Sequence, residues 1–258
     1  MSGWADLCET FRRVNLIVYL AWSDIRARYK RSVLGPFWIT LSTAIGVVGL
    51  GFLWSELFKM DRAEFIPLLA IGLILWQFMS ACIVESATLF NRQGNIIRNL
   101  TLPLALHPAQ LVLRHTINFA HNLPLLLVVY LLLGKGVGWY ALMAIPGVVL
   151  VILNLFWISL LFGMLGARFR DFEYMVAMIM PLMMFLSPVM YRASALTTLG
   201  KYMWLNPLAE MIEMIRDPLL GTEVSPFVYL ANVAILLVGG TLTLALFNAK
   251  RNRIAFWV

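Results

Sequence analysis

Residues 139–167 read WYALMAIPGVVLVILNLFWISLLFGMLGA, an apolar run without one charged side chain. A helix needs roughly 20 such residues to cross about 30 Å of hydrocarbon, and inside a bilayer a helix satisfies every backbone polar group by itself. The run therefore predicts a membrane-spanning helix. Moving outward from it in both directions, comparable runs recur, and together they predict an all-α polytopic membrane protein. Six transmembrane helices are expected, at approximately 37–57, 65–90, 111–133, 139–167, 174–191 and 226–248.

Composition agrees with that reading. The 258 residues are 61% hydrophobic and 13% charged, against roughly half and a quarter in ordinary soluble domains. A soluble chain of this length could not hide so much apolar surface and still present a solvated exterior. The net charge of +7 sits in short segments between the apolar runs, which points to a membrane surface and not to nucleic acid. Cys8 and Cys82 are too few and too isolated for a disulfide framework or a metal site. Acids and arginines (Asp6, Glu9, Arg12, Arg13) precede any long apolar run, unlike a cleaved signal, so the N-terminus is expected to be retained.

Orientation follows from the basic residues, because those near spanning ends stay preferentially in the cytoplasm. Fourteen of the 20 lie in the N-terminal segment, the second-to-third and fourth-to-fifth connections and the C-terminus. Both termini are therefore expected to be cytoplasmic. Leu7, Phe11, Val14, Val18, Trp22, Ile25 and Tyr29 recur at steps of three and four, which predicts an N-terminal interfacial amphipathic helix within residues 1–34, too short in its apolar core to span. The segment after span two holds Asn91, Arg92, Asn95 and Arg98 and then Pro103 and Pro108, which predicts a short helix at about 91–102. Between spans five and six, about 192–221, short outer-face helices are expected: Asn206 is a good N-cap, Pro207 suits the first helical position and Gly221 follows the last turn. Pro181 and Pro188 among several methionines predict a broken or re-entrant fifth span.

Catalytic signatures are missing from the sequence. It contains no GxxxxGK[ST] phosphate loop, no HExxH and no GxSxG, and the three histidines stand without neighbouring carboxylates or cysteines. Glu85 is the one acid inside an expected span, open to two readings: a transport role, or an ion pair with a neighbour such as Arg92. The densest local pattern is Arg28-Tyr29-Lys30-Arg31-Ser32-Val33-Leu34-Gly35-Pro36-Phe37-Trp38. Its cations suit phosphate headgroups, Gly35 and Pro36 turn the chain into the membrane, and Trp38 sits at interfacial depth. Tyr29, Phe37, Trp38, Trp54, Trp76, Phe78 and Phe185 supply ring faces on which a glycan could stack.

The chain resembles the membrane subunits of ABC-2-type exporters for O-antigen, capsule and teichoic-acid polymers, most of all the O-antigen permeases. The resemblance rests on Arg28 to Trp38, Asn95 to Pro108, Gly166-Ala167-Arg168-Phe169-Arg170-Asp171, Ser187-Pro188-Val189-Met190-Tyr191 and Leu205-Asn206-Pro207-Leu208, in family order along most of the chain. One departure is Leu102 before Pro103, where an aromatic is common in the family. The resemblance implies a transmembrane domain over 35–258 and a homodimer in the bacterial inner membrane. It also implies two copies of a separate ATPase subunit that bind ATP and Mg, with no cofactor in this chain. The implied cargo is a polyprenyl-pyrophosphate-linked polysaccharide, with a drug or lipid as the alternative within the superfamily. By the same resemblance Arg28, Tyr29, Lys30, Arg31, Gly35, Pro36 and Trp38 would receive the lipid phosphate. Asn91, Arg92, Asn95 and Arg98 would couple to the ATPase, and Pro188, Tyr191, Asn206 and Pro207 would belong to the outer gate. An integral-membrane enzyme, the rival class, would need an acid, base or nucleophile cluster that the sequence does not offer beyond Arg168 to Glu173.

Overall fold

The computed structural model describes residues 2–134, 136, 138–192 and 199–258. Among them every regular element is helical. Helices α1 (Gly3–Arg12) and α2 (Val14–Tyr29) lead into α3 (Phe37–Phe58) and α4 (Arg62–Ser86); the short α5 (Leu89–Arg92) and α6 (Gly94–Asn99) precede α7 (Leu106–Leu132); α8 (Ala144–Arg168), α9 (Phe172–Leu186), α10 (Pro207–Leu219) and α11 (Pro226–Trp257) complete the chain. Short 3-10 turns run over Trp139–Met143 and Leu199–Leu205.

Five helices are long and apolar enough to cross a membrane: α3, α4, α7, the Trp139–Arg168 stretch and α11. The segment expected to form span five is shorter. Helix α9 has 15 residues, roughly 22 Å at 1.5 Å per residue, and it ends at Ser187, whose extended backbone (φ −102°, ψ 149°) is what a following proline imposes. Of the two prolines expected to break this element, Pro181 lies inside α9, which continues through it, and the helix gives way to an irregular segment only before Pro188.

Helix α4 forms the centre. Asp61 caps it by accepting from the Ala63 N–H at 3.0 Å, and Phe65 together with the run from Pro67 to Trp76 is buried without interruption. A helix apolar on all sides can be satisfied only by neighbours on all sides; here α3, α7, α8, α9 and α10 surround it. Of the five long helices α3 and α11 are by contrast the least covered, showing Ile45, Leu53 and Leu57, and Leu230, Leu237 and Leu242, to their surroundings. With the exposed Met178, Leu182 and Phe185 of α9, these are apolar faces left for lipid or a second copy.

The N-terminal amphipathic segment is two helices, broken at Arg13. On α2, Ile17, Ala21 and Ile25 dock against α7, while Val14, Val18 and Trp22 remain exposed. The exposed apolar stripe, with Arg26 and Arg28 beside it, is the surface an interface-bound helix needs.

Candidate functional site

The basic motif folds into a tight turn. Ser32 donates its N–H to the Tyr29 carbonyl at 2.9 Å, and its Oγ accepts from the Gly35 N–H at 3.0 Å. Gly35 has φ +55°, in the left-handed region where a side chain is strained, and Pro36 begins α3 directly after it. The turn sets Lys30, Gly35 and Pro36 against Tyr19, Trp22, Arg26 and Tyr29 of α2 and His121 of α7, around a groove of about 740 Å³. The Thr40 hydroxyl donates to the His121 carbonyl at 2.7 Å and fixes α3 to α7 beneath it. Of the residues expected at the entry, Tyr29, Lys30, Gly35 and Pro36 line this one groove. Arg28 lies elsewhere, in a second cavity of about 430 Å³, and Arg31 and Trp38 line neither. Arg26, Trp22 and His121 escape a reading of the motif alone. Arg26 and Trp22 carry a signal, one and two helical turns behind Lys30 on the same face of α2, whereas His121 carries none.

Below the turn, charged groups chain four elements together. Asp24 Oδ2 accepts from Gln110 Nε2 at 2.8 Å and from Arg114 Nη1 at 3.4 Å. Arg114 Nη2 reaches Glu85 Oε1 at 2.7 Å, the other Glu85 oxygen meets His115 Nε2 at 2.9 Å, and Arg92 Nη1 lies 3.3 Å from Oε1. Glu85 is therefore an ion-paired group, and its main cation is Arg114 and not Arg92, whose side chain is largely exposed. His115 does have a carboxylate partner; the 30 positions between it and Glu85 hide the pairing in the sequence.

The segment expected to be one helix over 91–102 is two, α5 and α6, divided at Gln93, and from Leu100 the backbone is extended towards Pro103. Asn91 donates to the Gly166 carbonyl at 3.1 Å, anchoring α5 to the end of α8. Asn95 and Arg98 are exposed, with Ile96 and Leu100. Arg98, Thr101 and Pro103 border a cleft of about 630 Å³ shared with Glu9, Arg13 and Arg251. Behind it the fully buried Asp6 accepts from the Leu104 and Ala105 N–H groups at 3.1 and 2.9 Å and from Arg251 Nε at 2.7 Å.

At the opposite end of the bundle, Asn206 accepts from the Leu208 N–H at 3.0 Å as the cap of α10, and donates to the Leu186 carbonyl at 3.2 Å and Ser187 Oγ at 3.0 Å. Pro207 occupies the first turn of α10. The carbonyls of Pro188 and Tyr191 both accept from the buried Arg216, whose Nε pairs with Asp217 at 2.9 Å. The four residues expected at this end thus share one cluster, organised by an arginine that sequence reading passes over. The part of the expected 192–221 segment over residues 193–198 lies outside the described residues.

Helix α10 also buries acids. Burial, with Glu213 adding repulsion, pushes the Glu210 carboxyl up to about 7 from its ordinary 4.5, and burial likewise raises Glu213. An acid raised in the fold favours the protonated form there. Its stabilising contribution is complete below pH of about 4.5 and is lost as the pH climbs through about 7. Glu210→Gln should therefore raise the thermal unfolding midpoint in detergent at pH 8, by stability on the order of 2 kcal/mol, and leave it unchanged at pH 4.5. A gain of equal size at both pH values would contradict this.

The sequence profile described as "ABC-2 type transporter" matches residues 15–220. An O-antigen export system permease protein RfbA of Klebsiella pneumoniae is 25% identical over 249 residues, covering 93% of this chain and 94% of that protein. An O-antigen export system permease protein RfbA of Myxococcus xanthus is 24% identical over 209 residues, covering 79% of this chain and 80% of that protein.

Proposed function

Since the chain belongs to the ABC-2 type transporter family, we propose that it is the membrane-spanning subunit of an ABC transporter that exports an O-antigen polysaccharide, driven by ATP hydrolysis in a separate subunit. The observation that carries this reading is the similarity to O-antigen permeases along nearly the whole length of both chains. In the proposed assembly two copies pair through the open faces of α3 and α11, and two ATPase subunits, which bind ATP and Mg, dock at α5, α6 and the cleft beside Arg98. Both termini face the cytoplasm of a cell with this chain in its inner membrane, and α9 with the segment after it completes a sixth crossing.

The cargo is a polyprenyl-pyrophosphate-linked glycan, received at the groove formed by α2 and the Lys30–Pro36 turn. Arg26 and Lys30 offer cations at headgroup depth, and Trp22 and Tyr29 offer ring faces. The cluster of Pro188, Tyr191, Asn206 and Pro207 closes the outward end until transport. In this scheme the chain performs no covalent chemistry.

Deletion of the gene should leave polymer inside the cell, and the wild-type gene should restore surface display. Each basic residue near an anionic group contributes about 1 kcal/mol, so Arg26→Ala combined with Lys30→Ala should lower surface polymer at least tenfold at equal membrane abundance. Normal surface polymer in the deletion strain would refute the function. Normal polymer with the double variant would refute the groove alone.

A further inference from the structure

The second cavity has a chemistry unlike that of the groove. It lies between α2, α3, α4 and α7, and its walls include Arg28, Gln77, Ser80, Phe78, Asn118 and Asn122. Gln77, Ser80 and Val84 follow one face of α4, and His115, Asn118 and Asn122 one face of α7, each set at spacings of three and four. Two amide-bearing stripes therefore face a common space within the membrane-spanning part of the bundle.

These polar groups are not all satisfied. The carboxamide oxygens of Asn118 and Asn122 have no hydrogen-bond partner among the described residues, and Asn122 is 3% exposed. A buried polar atom without a partner costs roughly 1–3 kcal/mol. The Thr43 hydroxyl donates to Gln77 Oε1 at 2.8 Å, which leaves the Gln77 NH₂ as a donor in the cavity wall. The terminal amide torsion of asparagine is broad, so each idle oxygen can turn towards a guest.

The walls also discriminate between guests. The cavity has no carboxylate in its lining to attract a cationic drug, and a bare hydrocarbon chain would leave the amides unpaired. Arg28 brings one positive charge and forms no ion pair among the described residues. The Phe78 and Phe119 rings stack 5.0 Å apart in the same wall. Amides that both donate and accept, an apolar ring face and one cation match a sugar carrying a phosphate better than any other class of membrane solute. The volume of about 430 Å³ lies within the range of small-ligand pockets, about 300–1,000 Å³.

We infer that this cavity is a saccharide subsite, in which the hydroxyl groups of the sugar nearest the lipid carrier donate to Asn118 and Asn122 while Arg28 faces the adjoining phosphate. The inference rests on the export reading above and adds the element that recognises the sugar itself. It makes the cavity a selectivity element that separates glycosylated carrier from bare carrier.

The test uses the full chain purified in detergent and two probes, polyprenyl pyrophosphate bearing one N-acetylglucosamine and the same polyprenyl pyrophosphate without sugar, with binding followed by intrinsic tryptophan fluorescence. The wild type should bind the glycosylated probe about tenfold more tightly. In Asn118→Leu with Asn122→Leu the ratio of the two affinities should fall to about one. Leucine removes the idle amides without adding a polar group, and should the pair lose both probes, the single Asn122→Ser variant decides by the same ratio. Equal wild-type affinity for the two probes would overturn the subsite and leave the export reading standing; wild-type binding of neither would overturn both. A tenfold ratio that survives the substitutions would place sugar recognition elsewhere.

Discussion

Gly166→Val is expected to abolish stable assembly: little protein should extract as a monodisperse species, and what does should unfold at a much lower temperature than the wild type. A Cβ on Gly166 would overlap the carbonyl of Ala87 at the end of α4. That carbonyl cannot withdraw, because Ser86 and Ala87 are buried and the next turn is tied to Gly166 itself through Asn91. One turn earlier on the same face, Gly163 rests against the Phe90 ring. Two glycines three apart thus let α8 approach α4 and α5 backbone to backbone, the close approach that small residues permit in membranes. Overpacking in a fitted core costs about 1–3 kcal/mol, and more is expected where backbone must yield. Gly240→Ala is the contrast, since open space surrounds Gly240 in one chain; it should change stability by less than about 1 kcal/mol. Normal yield and melting for Gly166→Val would show that the α4 and α8 contact is not as close as described. Because α5 hangs from that contact, the α5 and α6 surface proposed above for the ATPase should be displaced in any folded fraction.

Asp6→Ala should lower stability by about 3–5 kcal/mol, the usual result of breaking a buried ion pair from one side. The substitution strands Arg251 and leaves two N–H groups at the start of α7 without an acceptor. Asp6→Asn should cost less, since one oxygen remains to accept from the backbone. The distinguishing measurement is the pair Asp6→Ala with Arg251→Leu. Removing both charges should recover part of the loss, whereas additive losses would mean that the carboxylate and the guanidinium stabilise the fold independently. Function should follow, because this carboxylate joins α1 and α11 to Leu104 and Ala105 beside the cleft bordered by Arg98 and Pro103. The proposed docking surface draws on both ends of the chain, and the Asp6–Arg251 pair is what joins them.

Much of this molecule is legible in local patterns. The runs that became α3, α4, α7, α8 and α11 announce themselves by length and apolarity, and α10 starts at the Asn206-Pro207 pair that marks it. The turn at Gly35 and Pro36 is legible too, since few residues accept a positive φ. The break at Arg13 is not, because the apolar repeat runs through it without interruption. Pro188 marks the end of α9, but only the folded chain reveals that the following Val189 carbonyl lies against Gly72 of α4, a packing that no spacing rule anticipates.

The sequence by itself determined that the chain lives in lipid, where its five long apolar helices lie and where the tight basic turn falls, because hydrophobic burial, backbone satisfaction and glycine or proline geometry act on residues close together in the chain. Only the tertiary structure decided which charges neutralise one another, which glycines bear the contacts and which amides are left idle around a cavity. Asp6 and Arg251 stand 245 positions apart, Gly166 and Asn91 stand 75 apart, and Thr43 meets Gln77 from another helix. Such pairings are set by how helices pack, and packing sums many weak contacts whose partners no local pattern records.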